Sequence, residues 1–229
     1  MNNCTAEFEN HNLGLVLKSK RFFLFFGNAK GDAESITKEF SKFHFQNIKQ
    51  IHSNTVVDSS DRANQADAHY TELKNTALFI KSADCLPVLV FCHQTGRVAA
   101  AHAGWKGVAN QIVIKTLTQL QQTGSTLMHF EIWIGPHILQ NSFEVDLDVL
   151  KQLELSTYKL KRSDYSFEKN QKYFVDLNKI VMSQIREVTS VEVPVHFIDV
   201  DTKTDLNFCS FRRDKITAGR NLSFIAALS

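Results

Sequence analysis

The sequence has little glycine and proline, with nine and three of them in 229 residues. It also lacks serine-rich or proline-rich stretches and repeats of fixed period, so nothing in it predicts a flexible linker or a solenoid. A chain of this length with 43% hydrophobic residues can bury a full core. We therefore expect a single domain spanning residues 1–229.

Long apolar runs are absent as well. Runs such as Leu86–Cys92 hold about seven residues, whereas a membrane-spanning helix needs roughly 20. Residues 1–10 carry asparagine, glutamate and cysteine instead of a basic stretch followed by an apolar one, which argues against a secretory signal. We expect no membrane partner and a cytoplasmic protein.

Neither sign of charge dominates, and cysteine is sparse. The 26 Lys and Arg nearly balance the 24 Asp and Glu, so no strong field favours binding to nucleic acid. Four cysteines (Cys4, Cys85, Cys92 and Cys209) are too few for a dense disulfide framework, and a cytosol keeps them reduced. The thiols are therefore available for metal binding or catalysis.

Short apolar runs bounded by turn residues predict strands at residues 22–26, 77–82, 87–92, 97–102, 130–135 and 193–200. The second, third and fourth of these are expected to be neighbours. Apolar residues at helical spacing from Ala109 to Leu120, ended by Gly124, predict a helix soon after His102. A second helix is predicted over residues 176–188. Interleaved strands and helices indicate a mixed α/β class.

Three segments place metal-binding side chains where strands are expected to end: Gln50-Ile51-His52, Ala83-Asp84-Cys85 and Ala101-His102-Ala103-Gly104. Strand ends converge on one rim of a sheet, so His52, Cys85 and His102 can meet although they are distant in sequence. Two imidazoles and a thiolate suit tetrahedral zinc and leave its fourth position open for water, as in catalytic sites. Such zinc lowers the pKa of its water from about 15.7 towards 7.

A family resemblance rests on six segments: HSNTVV, ADCLPVLVF, AAAHAGWKG, IGPHILQNSFEVD, FVDL and FCSFRRDKITAGR. In order and spacing they resemble the YfiH-like family, formerly described as laccase-domain polyphenol oxidases and now associated with purine nucleoside phosphorylase activity. The resemblance implies a layered α/β/β/α sandwich with mixed sheets. It also implies a catalytic zinc held by His52, Cys85 and His102, phosphorolysis of adenosine, inosine and methylthioadenosine, and deamination of adenosine.

Phosphorolysis requires hydrogen-bond donors that bind the attacking phosphate. Three cationic residues lie within the matched blocks: Lys106, Arg212 and Arg213. Arginine can bind phosphate bidentately, so these three are the candidate phosphate-binding residues. Asp84, which precedes Cys85, is a candidate to orient a metal ligand. The expected partners are a purine nucleoside and phosphate.

The chain departs from the family pattern in two segments. Many relatives carry Cys-Thr where this chain has Asp201-Thr202, so we infer that position 201 is not an indispensable ligand. The usual Phe-Phe-Ser-Tyr-Arg-Arg becomes Phe-Cys-Ser-Phe-Arg-Arg, and Phe211 therefore lacks the tyrosine hydroxyl.

Other functions compete with the zinc enzyme. Two histidines and a cysteine also form a blue-copper set, which a laccase-like oxidase would use, but no two of the nine histidines are two residues apart, as multicopper oxidases commonly have them. Alternatively, Cys85 is a nucleophile activated by His102 in a hydrolase or deamidase. The motifs of zinc nucleobase deaminases do not occur. A zinc-stabilised binding module is the non-enzymatic alternative.

Overall fold

The computed structural model describes residues 8–61, 65–189 and 191–229. Residues 1–7, which include Cys4 and most of the N-terminal segment in which no secretory signal is expected, lie outside these ranges. Numbered along the chain, the strands of the first sheet are β1 (Glu9–His11), β2 (Gly14–Lys18), β3 (Phe22–Gly27), β4 (His44–Gln46), β7 (Thr76–Ser82) and β15 (Asn221–Ala227). Their order in space is β1-β2-β3-β15-β7-β4.

The second sheet contains β5 (Val56–Asp58), β6 (Ala68–Thr71), β8 (Leu86–Cys92), β9 (Val98–Ala103), β10 (Phe130–Ile134) and β14 (Val195–Phe197), in the order β14-β10-β8-β9-β6-β5. Both sheets are mixed, because β4 is parallel to β7, β5 to β6 and β10 to β14, while the other pairs are antiparallel. A small antiparallel sheet is formed by β11 (Glu144–Val145), β12 (Ser166–Lys169) and β13 (Lys172–Val175).

The helices are α1 (Ala33–Glu39), α2 (Trp105–Ala109), α3 (Ile112–Gln122), α4 (Leu147–Glu154), α5 (Arg162–Tyr165), α6 (Leu177–Thr189) and α7 (Phe211–Asp214). Short 3-10 turns lie at Leu127–His129 and Lys215–Thr217. Within the ranges that the structure describes, no helix is long and apolar enough to cross a membrane.

Alternation along β3 explains how the layers stack. Phe22, Leu24 and Phe26 point into the core between the two sheets, where they join Trp133 and other apolar residues of the second sheet. Phe23 on the opposite face packs with α1 instead. Since successive side chains of a strand face opposite ways, the Phe-rich run fills two cores at once. This central strand is fully buried on both faces.

A third core lies on the outer face of the second sheet. Leu86, Val88 and Val90 of β8 point away from the first sheet and pack with helical residues such as Leu117 and Ile180. The layers therefore run from α1 through the first and second sheets to a layer that contains α3 and α6. This α/β/β/α arrangement with mixed sheets confirms the expected fold.

Two expectations about the elements need correction. The three strands expected to be neighbours are divided: β8 and β9 pair in the second sheet, whereas β7 belongs to the first. The chain crosses between the sheets after Ser82, which a run of apolar residues does not reveal. The expected helix at residues 109–120 is two helices, because Gln111 has a φ of 62° and ends the regular α-helical path between α2 and α3.

Candidate metal centre

The expected zinc-binding residues lie where the two sheets meet. Cys85 is on the short connection from β7 to β8, which carries the chain from the first sheet to the second. His102 is near the end of β9, and its position in the strand alternates with Ala101 and Ala103, which face the outer core. His52 lies in the loop between β4 and β5. Each segment thus supplies one side chain to a common point.

The structure brings these three side chains together. The potential ligand atoms of His52, Cys85 and His102 all lie within 4.8 Å of one another. The two imidazole rings meet nearly edge to face, with centroids 4.9 Å apart. His102 is buried, Cys85 is half-buried and His52 is exposed, so the group is accessible from one side. Within the described parts of the chain, it is the only such group of three or more possible metal-binding side chains.

The packing beside this group requires a residue without a side chain. A Cβ atom at Gly104 would lie 3.0 Å from Cys85 Sγ and 3.2 Å from His52 Cδ2. The backbone of Gly104 has a φ of −69°, which any residue can adopt, so the lack of space for a side chain explains the glycine.

Two imidazole nitrogens and a thiol sulfur form a ligand set that zinc prefers. The residues present therefore fit a zinc ion.

Asp67 joins the two histidine segments. Its side chain is fully buried, and Oδ1 lies 2.9 Å from His102 Nδ1. The same carboxylate accepts hydrogen bonds from the backbone amides of Ile51, His52 and Ser53 and from the Ser53 hydroxyl. Because Asp67 engages Nδ1, His102 presents Nε2 to the other ligands. Asp67 is a functional candidate that sequence analysis missed.

Gln50 fixes the loop that carries His52. On one side of β7 the parallel partner β4 ends opposite Leu78, so no strand pairs with Lys81 on that side, while β15 pairs with it on the other. The Gln50 amide takes that place: its Nε2 donates to Lys81 O at 2.7 Å, and its Oε1 accepts from Lys81 N at 2.8 Å. The glutamine of the Gln-x-His segment thus anchors His52 to the first sheet.

The electrostatics favour an ionised cysteine in the protein without metal. Burial raises the pKa of the Cys85 thiol, but hydrogen bonds with His102 and His52 outweigh burial and lower that pKa to about 7. Burial lowers the pKa of His102, yet hydrogen bonds to Asp67 and Cys85 raise it to about 9. Burial also raises the pKa of Asp67, whereas hydrogen bonds from His102 and Ser53 outweigh it and hold that pKa at about 2. A thiolate at neutral pH is the form that binds metal.

Comparison with known proteins identifies the family. The sequence model of the family described as multi-copper polyphenol oxidoreductase laccase matches residues 29–228. The chain belongs to this family. A relative from Clostridium acetobutylicum named purine nucleoside phosphorylase is 29% identical to this YfiH-like chain over 227 residues, which cover 92% of the chain and 94% of the relative.

A second relative has the same name, and a solved structure has the same fold as the YfiH-like chain. The purine nucleoside phosphorylase YfiH of Escherichia coli K12 is 32% identical over 183 residues, covering 78% of this chain and 72% of that protein. The crystal structure of YlmD from Geobacillus stearothermophilus superposes with a TM-score of 0.87 at 20% identity, covering 97% of this chain and 99% of that one. The structural likeness confirms the fold.

Arg212 of the YfiH-like chain adjoins the metal candidates through Asp84. Its backbone N–H donates to Asp84 Oδ2 at 2.6 Å, and Asp84 immediately precedes Cys85. Its guanidinium lies over the ring of Phe143, and Nη1 donates to the Glu144 carbonyl at 2.7 Å. Within the described residues, Nε and Nη2 make no hydrogen bond, so these donors are available to a ligand.

Arg213 is engaged differently. Its Nε and Nη2 bind the two oxygens of Asp214 at 2.8 Å, Nη2 also donates to Phe208 O at 2.8 Å, and Nη1 donates to the carbonyls of Thr202 and Lys203. These contacts use all five N–H groups of the guanidinium. Arg213 therefore holds the loop before α7, and the expectation that it also binds phosphate finds no spare donor in this geometry.

Lys106 and Asp84 complete the predicted set. Lys106 is exposed in α2, two residues after Gly104, with Nζ 5.7 Å from the Trp105 ring centroid. Asp84, expected to orient a metal ligand, instead accepts hydrogen bonds from Thr202 Oγ1 and from the backbone of Arg212. In the described chain it bonds to neither histidine, so its carboxylate positions the arginine segment.

Two of the positions that depart from the family pattern, Asp201 and Phe211, lie beside this segment. Asp201 accepts a hydrogen bond from Ser142 Oγ at 2.5 Å and holds a turn together, and it does not belong to the His-Cys-His group. Phe211 is exposed.

The sequence signal for Asp67 is weaker than the signal for the two histidines and the cysteine. It is a single acidic residue between Ala66 and Ala68, at the start of a buried strand.

Proposed function

We propose that this protein is a zinc-dependent purine nucleoside phosphorylase that acts on adenosine, inosine and methylthioadenosine and also deaminates adenosine. The observation that carries the proposal is the convergence of His52, Cys85 and His102, with ligand atoms all within 4.8 Å, at an accessible position. Relatives named purine nucleoside phosphorylase supply the reaction class.

His52, Cys85 and His102 would hold the zinc, which supplies a Lewis-acidic position for a water or substrate oxygen. The backbone of Arg212 is bound to Asp84, the neighbour of Cys85, and its guanidinium has unused donors, which together with Lys106 would bind the phosphate. In phosphorolysis, a phosphate oxygen forms a bond to the ribose C1′, the bond from C1′ to the purine N9 breaks, and the purine leaves with a proton. In deamination, water adds its oxygen to C6 and ammonia leaves.

Zinc is favoured over copper by the side chains that the structure groups together. A laccase binds several copper ions and therefore needs several groups of histidines, whereas the described residues supply one group of three. That group leaves one tetrahedral position open, which is characteristic of catalytic zinc. Elemental analysis of protein purified without added metal should find about one zinc per chain.

The activity is tested by incubating the purified protein with adenosine and phosphate and separating the products. Adenine and ribose 1-phosphate indicate phosphorolysis, and inosine indicates deamination. Both products should disappear after zinc is removed and return when it is restored. Full activity in metal-free protein, or neither product with metal-loaded protein, would refute the proposal. Parallel incubations with inosine and methylthioadenosine rank the substrates.

A second candidate function is favoured by one observation. Cys85, His102 and Asp67 form a chain from thiol through imidazole to carboxylate, the arrangement that activates a cysteine nucleophile in hydrolases and deamidases. In that case chelators would leave activity intact, and a quenched reaction would trap a covalent adduct on Cys85. Under the zinc proposal, metal would instead protect Cys85 from alkylation, and no adduct would form.

We also propose that the chain acts in the cytoplasm and folds as one domain. Three cysteines described by the structure, Cys85, Cys92 and Cys209, are free thiols, as expected in a reducing compartment. Cell fractionation tests the location, and a single unfolding transition seen by two different probes tests the domain assignment.

A further inference from the structure

We propose that Asp67 is a positioning residue that aligns both histidines of the metal centre through one carboxylate. The inference rests on the proposed metal site and extends it to a residue that binds no metal itself. Asp67 Oδ1 contacts both His102 Nδ1, at 2.9 Å, and the backbone N–H of His52, at 3.0 Å. One oxygen atom therefore relates the two ligands to each other.

On the His102 side, Asp67 determines which ring nitrogen faces the metal position. Asp67 and His102 are also joined through their backbones, since His102 N donates to Asp67 O at 2.7 Å. With Nδ1–H donating to the carboxylate, Nε2 is the nitrogen left for a metal. Carboxylate partners of this kind fix the tautomer and ring orientation of metal-binding histidines and make them more basic.

On the His52 side, Asp67 stabilises an unusual backbone conformation. His52 has a φ of 57°, in the left-handed region that residues other than glycine rarely adopt. This turn directs the consecutive N–H groups of Ile51, His52 and Ser53 at the Asp67 carboxylate, at 3.2, 3.0 and 2.5 Å. Successive amides arranged in this way form an anion-binding concavity. The buried carboxylate occupies it and thereby holds the loop that presents His52.

Burial makes this arrangement dependent on the aspartate. The side chain of Asp67 has no solvent exposure, so water cannot readily replace its five hydrogen-bonding contacts. An asparagine of the same shape carries an NH₂ group in place of one oxygen. Whichever way that amide is turned, a donor faces donors, either those of the loop or that of His102. The alignment of one histidine is then lost.

The test compares Asp67→Asn with Asp58→Asn, using chelator competition to measure zinc affinity. Asp58 is a matched control, because its carboxylate also accepts from a nearby backbone amide and a serine hydroxyl but does not belong to the His-Cys-His group. We expect Asp67→Asn to weaken zinc binding by about 10- to 100-fold. Asp58→Asn should leave it unchanged. Ser53→Ala, which removes one donor and keeps the charge, should give a smaller loss.

Spectra distinguish positioning from a purely structural role. Cobalt-substituted Asp67→Asn should show altered visible absorption bands, whereas a merely less stable protein would show normal bands for its folded fraction. In zinc-loaded wild type, nitrogen NMR should find the His102 proton on Nδ1 and the metal on Nε2. A metal on Nδ1, or equal zinc affinity in wild type and Asp67→Asn, would overturn the inference. A wild type that binds neither zinc nor cobalt would instead refute the proposed metal site.

Discussion

The buried His69 makes the stability of the fold depend on pH. His69 is fully buried in β6, where Nε2 donates to Phe79 O at 3.1 Å across the two sheets, and Nδ1 has no hydrogen-bond partner in the structure described. Burial lowers the pKa of His69 from 6.5 to about 4 and outweighs the effect of the Phe79 carbonyl. The folded protein therefore keeps this imidazole neutral in mildly acidic solution, whereas the unfolded chain takes up a proton.

The sign follows from proton binding. Because the unfolded state binds more protons between pH 6.5 and about 4, the contribution of His69 to the free energy of unfolding decreases as pH falls through this window. One pKa unit corresponds to about 1.36 kcal/mol. Lowering the pH from about 7.5 to about 5 should therefore reduce the contribution of His69 to the free energy of unfolding by roughly 2 kcal/mol.

The assay is urea unfolding of metal-free wild type and His69→Gln at both pH values. Glutamine is a neutral donor that does not titrate, so the difference between the two proteins isolates His69 from the other titrating groups. The stability advantage of wild type over the variant should decrease by roughly 2 kcal/mol at the lower pH. His129→Gln, at an exposed histidine, controls for the substitution itself. A wild-type advantage that stays constant between the two pH values would refute the reasoning.

Three further predictions concern the site. Arg212→Ala should raise the Michaelis constant for phosphate by about 10- to 100-fold, which corresponds to the loss of one charged hydrogen bond. Arg213→Ala should instead lower the free energy of unfolding by about 2 to 3 kcal/mol, without a selective effect on phosphate. Equal phosphate dependence in Arg212→Ala and wild type would contradict this assignment. Gly104→Ala should reduce zinc content while circular dichroism stays unchanged, because the added methyl group contacts Cys85 and His52; undiminished zinc would show that the space is not needed. Cys85→Ser should lose both zinc and phosphorolysis, and an active variant without metal would exclude the assigned ligand set.

Much of the fold was predictable because its strands are buried. Runs such as Leu86–Cys92 are apolar along their whole length, and a fully buried strand has this pattern. What the runs do not specify is which sheet a strand joins. The assignment of β7 to the first sheet depends on its antiparallel partner β15, which lies at the other end of the chain. Sequence distance conceals that pairing.

The three metal candidates were predictable as residue types, but their supporting partners were not. Two histidines and a cysteine have few competing explanations once they meet, whereas an aspartate such as Asp67 resembles any surface acid in the sequence. The same holds for Arg212 and Arg213, which are adjacent and chemically identical. Only the hydrogen bonds of each guanidinium show that one has free donors and the other has none.

The crossing of the chain at Cys85 has a mechanical consequence. His52 is tied through Gln50 to the edge of the first sheet, His102 belongs to the second sheet, and Cys85 lies on the connection between them. A metal bound by all three would cross-link the two sheets at one end through its coordination bonds. The free energy of unfolding would then increase with metal concentration, and the cross-link would oppose sliding of one sheet over the other. Metal binding would also require that both sheets have assembled, since neither sheet alone carries the complete set of ligands.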